Sequence, residues 1–305
     1  MSLILHRRLI QVVRRACLCM MALAVPAVAD EAQWQDVAKA LGKTGIEMPG
    51  GVYRVSLPRS DLHVTLDGVV LKPSFALGSW LAFAPMGKQT MVMGDLVLTE
   101  TEIEPVMKAL VEGNIDITAL HNHLLRASPA TFYMHVYGVG DAATLAHTLH
   151  DALALSKTPF TAALIPNTPP TIDLDTAAID NALGAKGKIS GGVYQIGIPR
   201  AAPVVKDGMT IPAGMGSAEA ISFQPTGHGS AAIAGDFVLT AREVNPVLRA
   251  LRENGIEVTA LHNHMLDDEP RLFFMHFWAN APVPALLKGL HAALDHIAVQ
   301  HTAPK

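Results

Sequence analysis

The chain has 305 residues, of which 50% are hydrophobic and 16% are charged, and its formal net charge is −4. This composition is typical of a globular protein, and the absence of a positive excess or a basic stripe argues against nucleic acid as a partner. The chain's 2 cysteines, Cys17 and Cys19, lie near the N-terminus, so neither disulfides nor cysteine-ligated zinc are expected in the remainder.

Residues 1–29 have the pattern of a signal peptide. A basic segment with Arg7, Arg8, Arg14 and Arg15 precedes an apolar stretch that ends in Ala-Val-Ala at 27–29. An ordinary Sec signal is favoured over a twin-arginine signal, because the residues around the arginine pairs fit the latter poorly. We therefore expect a periplasmic or secreted protein whose mature chain has no membrane span.

The remaining 276 residues contain an internal repeat. Thr118–His123 recurs without change as Thr259–His264, 141 positions later, and Gly94–Thr99 recurs with the same offset as Gly235–Thr240. A constant offset over separated motifs predicts a duplicated domain. The predicted boundaries are 30–165 for the first repeat and 166–305 for the second, with a proline-rich linker at Pro166, Pro169 and Pro170.

Each repeat shows the same order of predicted elements. In the first repeat these are strands near Val52–Leu57 and Ser79–Phe83, a strand that ends near Leu98, a helix that begins with a Thr99–Glu102 capping box, strands at Ile115–Leu124 and Thr131–Val139, and a last helix with Leu145, Leu149 and Leu153. This order predicts an α+β fold with two tandem copies of an α/β sandwich domain over a mixed or antiparallel sheet. A ferredoxin-like strand order is compatible with it.

Three histidines in each repeat are predicted to converge. His121 and His123 lie two positions apart in a strand and so share a face. A hairpin centred on Ser128 would pair His121 with His135, and directly opposed residues also share a face. The same argument brings His262, His264 and His276 together in the second repeat.

Three convergent neutral imidazoles form a common ligand set for transition metals. They predict one site per repeat for zinc or another divalent transition metal. A zinc ion with three histidine ligands and a water is typical of hydrolytic enzymes, and an unknown small molecule would then be the substrate. Met134 and Met275, next to the last histidines, are predicted to point to the opposite face.

Glu219 is the predicted catalytic residue. It lies in a predicted strand, Ser217–Phe223, on the face of Ile221 and Phe223, where a lone carboxylate requires a partner. It is interpreted as a metal ligand, an orienting partner of a histidine, or a general base. Because the first repeat has Ser79 at this position, the second repeat is the better candidate for chemistry.

Another interpretation remains open for the histidines. The His121 strand carries Ile115, Ile117 and Ala119 on the same face, so the histidines can simply be packed between the two repeats. The protein would then be a non-catalytic binding or interaction module. Asp95 and Asp236 are expected to end strands and hold turns, and Arg59 and Arg200 are expected at the surface.

The sequence also resembles the LppY/LpqO family of exported bacterial proteins. The motifs that carry the resemblance lie in both halves; in the second they are Gly191–Gln195, Phe223–Gly227, Gly235–Thr240, Val244–Leu248, Thr259–Leu266 and Phe273–Trp278. The resemblance implies export and a duplicated domain, but no reaction. Unlike the lipoproteins of that family, this chain has no lipobox before either cysteine.

Overall fold

The computed structural model describes residues 28–161 and 171–300. Most of the predicted signal peptide and all three prolines of the predicted linker lie outside these ranges. None of the helices in the described ranges is long and apolar enough to cross a membrane.

Both repeats fold into the same series of elements. The first repeat contains α1 (Val28–Leu41), β1 (Ile46–Met48), β2 (Val52–Pro58), β3 (Thr65–Leu66), β4 (Val69–Val70), α2 (Pro73–Ala76), β5 (Gly78–Met86), β6 (Gln89–Thr99), α3 (Glu100–Glu112), β7 (Asp116–His121), β8 (Thr131–Gly140) and α4 (Ala142–Leu153). The second contains α5 (Thr176–Leu183), β9 (Lys188–Ser190), β10 (Val193–Pro199), β11 (Val205–Lys206), β12 (Met209–Thr210), a 3-10 turn (Ala213–Met215), β13 (Ala218–Gly227), β14 (Ser230–Thr240), α6 (Ala241–Glu253), β15 (Glu257–His262), β16 (Leu272–Pro282) and α7 (Val283–Leu294).

The predicted α+β class is confirmed, and the main sheet of each repeat is antiparallel. Its strand order is β1-β2-β5-β6-β8-β7 in the first repeat and β9-β10-β13-β14-β16-β15 in the second. A ferredoxin-like unit would place a strand after the last helix beside β6. Here β5, which precedes β6 in the chain, takes that place, so the ferredoxin-like order occurs only in a permuted form.

The helices cover one face of each sheet. The predicted capping box at Thr99 and Glu102 is present and starts α3, and Thr240 and Glu243 start α6 in the same way. Apolar side chains at helical spacing then face the sheet; those of α3 and α4 include Val106, Leu110, Leu145, Leu149 and Leu153. Each repeat therefore has its own core on the helix side.

The other face of each sheet is covered by the other repeat. A β-hairpin and the short turn of helix after it form an arm in each repeat, residues 62–77 (the first arm) and 203–216 (the second arm). The first arm packs Leu71 and Phe75 against the second repeat's Val193 and Trp278, and the Phe75 and Trp278 rings meet edge to face at 5.9 Å. In the same way, the second arm packs Val204, Ile211 and Met215 against Val52, Ala82 and Met91 of the first repeat. The two repeats thus interlock.

Candidate metal centre

A β-bulge in β7 turns the histidines away from the helices. Ile117 pairs with Val136, which belongs to the helix-side core, whereas Ala119 pairs with His135. Because His135 and Val136 are consecutive, they point to opposite faces, so Ile117 and Ala119 do as well. The bulge between Ile117 and Ala119 therefore reverses the parity of the strand. His121 lies beyond it, on the face shared with the other repeat rather than in the helix-side core.

The predicted pairing of His121 with His135 is wrong by two positions. His121 pairs with Tyr133, and Ala119 pairs with His135. An error of two residues keeps the side chains on the same face, so the predicted convergence survives. In the second repeat His262 likewise pairs with Phe274, and Ala260 pairs with His276.

The six histidines form one cluster at the interface of the repeats, and the three histidines predicted to converge in each repeat lie together within it. Each ring of the first repeat lies against a ring of the second. The ring centroids are 3.5 Å apart for His121 and His262, 3.5 Å for His123 and His276, and 3.7 Å for His135 and His264. The exchanged arms bring the two histidine-bearing faces together.

The imidazole nitrogens are close enough to share metal ions. One group with ligand atoms all within 4.8 Å of one another contains His121, His123 and His135 together with His262 from the other repeat. A second group contains His262, His264 and His276. His262 belongs to both groups, and the first group draws ligands from both repeats.

Two carboxylates that the sequence predicts in turns lie beside the cluster. Asp95 pairs directly with His135 across β6 and β8, and Asp236 pairs with His276 across β14 and β16. Nε2 of His135 lies 3.9 Å from Asp95 Oδ1, and Asp236 lies 3.5 Å from His264 Nε2 and 3.7 Å from His276 Nε2. The sequence contained an indication of this position that was missed. A charged residue within an apolar strand requires a buried partner, and both aspartates lie in such strands.

Several polar atoms at this point are buried without a hydrogen-bond partner among the described residues. They are Asp95 Oδ1, Asp236 Oδ1, His121 Nδ1, His135 Nε2 and His264 Nε2. Leaving such atoms without partners is costly in a folded protein, and clusters of them point to a missing ion or water.

Burial sets the protonation of the cluster. It lowers the pKa of His121 to about 3, with His262 acting in the same direction, and it lowers the pKa of His262 to about 4. Burial also raises the pKa of Asp95 to about 8, against the opposing charge of Arg54. Burial, followed by the charge of Asp95, raises the pKa of Asp236 well above its usual range. At neutral pH the imidazoles are therefore neutral and able to act as metal ligands, and a bound cation would favour ionised carboxylates.

Glu219 belongs to neither histidine group and has structural contacts instead. Its Oε2 accepts a hydrogen bond of 2.7 Å from the backbone N–H of Val238, as the Ser79 hydroxyl accepts one of 2.8 Å from Val97. Its Oε1 lies 3.7 Å from Arg200. The Oε1 atom is also buried without a hydrogen-bond partner among the described residues, and burial, with a smaller contribution from the charge of Asp236, raises the pKa of Glu219. The role predicted for Glu219 at the metal stays a prediction.

The predicted surface position of Arg59 and Arg200 is wrong, because both are buried. Each donates to the glutamate of the following capping box, Glu102 or Glu243. Arg59 also binds Asp61, a position that is Ala202 in the second repeat. In the second repeat Glu219 lies near Arg200, at a position that is Ser79 in the first repeat.

Comparison with known proteins yields a family of unknown function. A family model described as Domain of Unknown Function (DUF1259) matches residues 35–155 and residues 177–296. No curated protein matches the chain. Among solved structures the chain is similar to the trimeric bacterial microcompartment shell protein PduB (12% identity, TM-score 0.23, 86% of this chain and 98% of that chain) and to EtuB from Clostridium kluyveri (9%, 0.20, 83% and 90%). These TM-scores are too low to support an inference.

Proposed function

We propose that this chain, which belongs to the DUF1259 family and contains two tandem copies of that domain of unknown function, binds a divalent transition metal between its repeats. The proposal is argued from the chain's own side chains, because the family gives no reaction. The observation that carries the proposal is the convergence of six histidines from both repeats, four of them with ligand atoms within 4.8 Å of one another. Histidine is the most common protein ligand for such ions, and these imidazoles are neutral.

The donor atoms favour zinc or another divalent transition metal with nitrogen and oxygen ligands. Met134 and Met275 are fully buried in the helix-side cores, so neither thioether is directed at the centre. Imidazole nitrogens supplemented by carboxylate oxygens suit zinc, iron, manganese and nickel, whereas a copper(I) site would favour sulfur.

The reaction that such a centre supports best is metal-dependent hydrolysis of a small molecule. A bound ion would lower the pKa of a coordinated water and polarise the substrate. Asp95 and Asp236 lie next to the histidines and, once ionised, are positioned to hold the ion together with them. The role of Glu219 as ligand, orienting partner or base stays a prediction.

A non-catalytic role is supported by the contacts among the rings themselves. The Nε2 atoms of His121 and His123 are 2.7 Å apart, those of His262 and His276 are 2.9 Å apart, and Tyr133 stacks on His123 with centroids 3.5 Å apart. In this second candidate function the histidines hold the two repeats together without a metal, in a binding or interaction module.

Elemental analysis of untagged protein, purified from the compartment in which it matures, distinguishes the two functions. The metal proposal predicts zinc, copper(II), iron, manganese or nickel in at least equimolar amount, and a lower metal content in the variant His262→Ala/His264→Ala, which removes ligands from both groups. The matched control His147→Ala changes an exposed histidine on α4 and should retain the metal. Metal below stoichiometric amounts, unchanged in the double variant, would support packing alone.

We also propose that the protein is exported and is a member of the LppY/LpqO family. Export is supported by the basic and apolar pattern of residues 1–29 with its Ala-Val-Ala end. Membership is supported by the motifs shared by both repeats. N-terminal sequencing of the mature protein, with Asp30 as the expected first residue, tests export.

A further inference from the structure

We infer that the centre holds two metal ions and that Asp95 and Asp236 each supply a carboxylate ligand, one to each ion. This inference rests on the proposed metal-binding function and extends it in stoichiometry and ligand identity. It is carried by the number of ligand groups, by their division into two overlapping sets, and by the position of the two aspartates.

The number of ligand groups exceeds what one ion can use. The cluster contains six histidines, and two aspartates lie within 4.0 Å of its nitrogens. A transition metal ion takes about four to six ligands, and zinc most often takes four. One ion would leave several of these groups unused in a buried place, where each unpaired polar atom is costly. Two ions can use them all.

The ligand atoms already fall into two sets. One set combines the three histidines of the first repeat with His262, and the other contains the three histidines of the second repeat. Because the repeats are related by an internal duplication, a position suited to an ion in one repeat has an equivalent in the other. His262 is common to both sets, and this overlap makes the two positions neighbours.

The aspartates extend the two sets separately. Asp95 lies on the strand next to His135 in the first repeat, and Asp236 lies on the strand next to His276 in the second. Directly opposed strand residues share a face, so both carboxylates point toward the histidines. Each set therefore gains one oxygen ligand from its own repeat.

The distances between these carboxylates and imidazoles suit shared coordination rather than hydrogen bonding. The three separations, 3.5, 3.7 and 3.9 Å, are too long for a hydrogen bond. Two ligands bound to one ion at about 2.0–2.2 Å lie about 3.0–4.4 Å from each other. Asp95 Oδ1 and His135 Nε2 face each other at 3.9 Å, and both are buried without a hydrogen-bond partner among the described residues. A cation bound between these two atoms would give each of them the partner that it lacks.

The inference is tested by titrating metal-free full-length protein with Mn(II) and counting bound ions by equilibrium dialysis. The wild type should bind two ions per chain. Asp95→Asn and Asp236→Asn should each lose one ion or bind it at least about tenfold more weakly. The matched control Asp151→Asn, an exposed carboxylate on α4, should still bind two.

Electron paramagnetic resonance of the loaded wild type provides a test that needs no variant. Two neighbouring Mn(II) ions should give a spin-coupled spectrum, and a single ion should give an isolated six-line signal. One bound ion with the isolated signal, or two ions held with unchanged affinity in both asparagine variants, would overturn the inference and leave metal binding itself standing. No bound Mn(II), Zn(II) or Co(II) in the wild type would overturn the proposed function as well.

Discussion

His121 and His262, equivalent residues of the two repeats, lie ring against ring with centroids 3.5 Å apart and planes inclined by 32°. This contact joins the two halves of the histidine cluster at the centre of the internal symmetry. Homodimers often build a shared site on their two-fold axis from the same residue of each subunit. Here gene duplication places both contributions in one chain.

Metal should stabilise the folded protein. A ligand that binds only the folded state adds about 2.7 kcal/mol to the free energy of unfolding at a free concentration of 100 times its Kd. We therefore expect the urea midpoint of chelator-treated protein to rise when Zn(II) is restored. The variant His262→Ala/His264→Ala should show a smaller rise, and an equal rise in both proteins would place the zinc elsewhere.

The first arm should depend on Asp67 at its tip. The buried Trp278 indole donates to Asp67 Oδ2 at 3.0 Å, and the exposed Arg126 pairs with the same carboxylate. Asp67 has a φ of 48°, which glycine and asparagine tolerate. Asp67→Gly should lower the free energy of unfolding by about 1–3 kcal/mol, because the indole loses its acceptor.

The variant Asp67→Asn serves as the control for this experiment. It keeps an acceptor for Trp278 and loses only the exposed ion pair, so it should cost less than about 1 kcal/mol. Equal losses in the two variants, measured as shifts of the denaturant midpoint, would mean that the ion pair and not the indole contact holds the arm.

Glu219 should matter for stability and not for metal. Glu219→Ala removes the acceptor of the Val238 N–H, and Ser79→Ala removes the equivalent acceptor of Val97 in the first repeat. Each should lower the free energy of unfolding by about 1–3 kcal/mol and leave the metal content unchanged. If Glu219→Ala alone loses metal or metal-dependent hydrolysis, then Glu219 belongs to the site after all.

The pH dependence of stability should reflect the buried glutamates of the capping boxes. Burial opposes ionisation of Glu102, but hydrogen bonds from Arg59 and from the backbone of Thr99 and Lys157 outweigh it and lower its pKa below the usual 4.5. A carboxyl with a lower pKa in the folded state contributes stability above its unfolded pKa and loses that contribution as pH falls through its folded pKa.

We therefore expect the urea midpoint to fall as the pH is lowered below about 6.5, where the histidines of the cluster take up protons in the unfolded state but not in the folded one. The contribution of Glu102 should be lost below about 4.5, where the unfolded carboxylates take up protons. Glu102→Gln should start from a lower midpoint at pH 7 and show a shallower fall over the same range. A pH profile parallel to that of the wild type would mean that Glu102 does not contribute through its charge.

Local patterns in the sequence were sufficient to predict the fold class, the long strands and the last two helices of each repeat, but not α1, β1 or the arms. The repeat offset, the capping boxes at Thr99 and Thr240, and the apolar spacing of the helices all depend on interactions within a few residues or on direct comparison of the two halves. The shared face of His121 and His135 was predicted for the same reason, since an error of two residues in register preserves the side on which a side chain lies.

The assembly of the site could not be predicted in the same way. The six histidines come together only because the exchanged arms bring residues about 141 positions apart into contact. Patterns within a short stretch of sequence do not predict contacts over such a separation. The sequence predicts a continuous row of core-facing residues on the His121 strand. This prediction is wrong, because the bulge between Ile117 and Ala119 changes the face on which the later residues lie. Asp95 was missed because its neighbour in the sheet, β8, is joined to β6 through α3 and β7 rather than through a hairpin.

The central claim is that ligands from both repeats hold the same metal ion, and His262 allows its most direct test. In the variant His264→Ala/His276→Ala, Zn(II) should still bind to the group of His121, His123, His135 and His262. Adding His262→Ala should then weaken that binding at least about tenfold, or about 1.4 kcal/mol, whereas adding His147→Ala should not change it. An unchanged Kd after removal of His262 would mean that each repeat binds metal on its own and would contradict a shared centre.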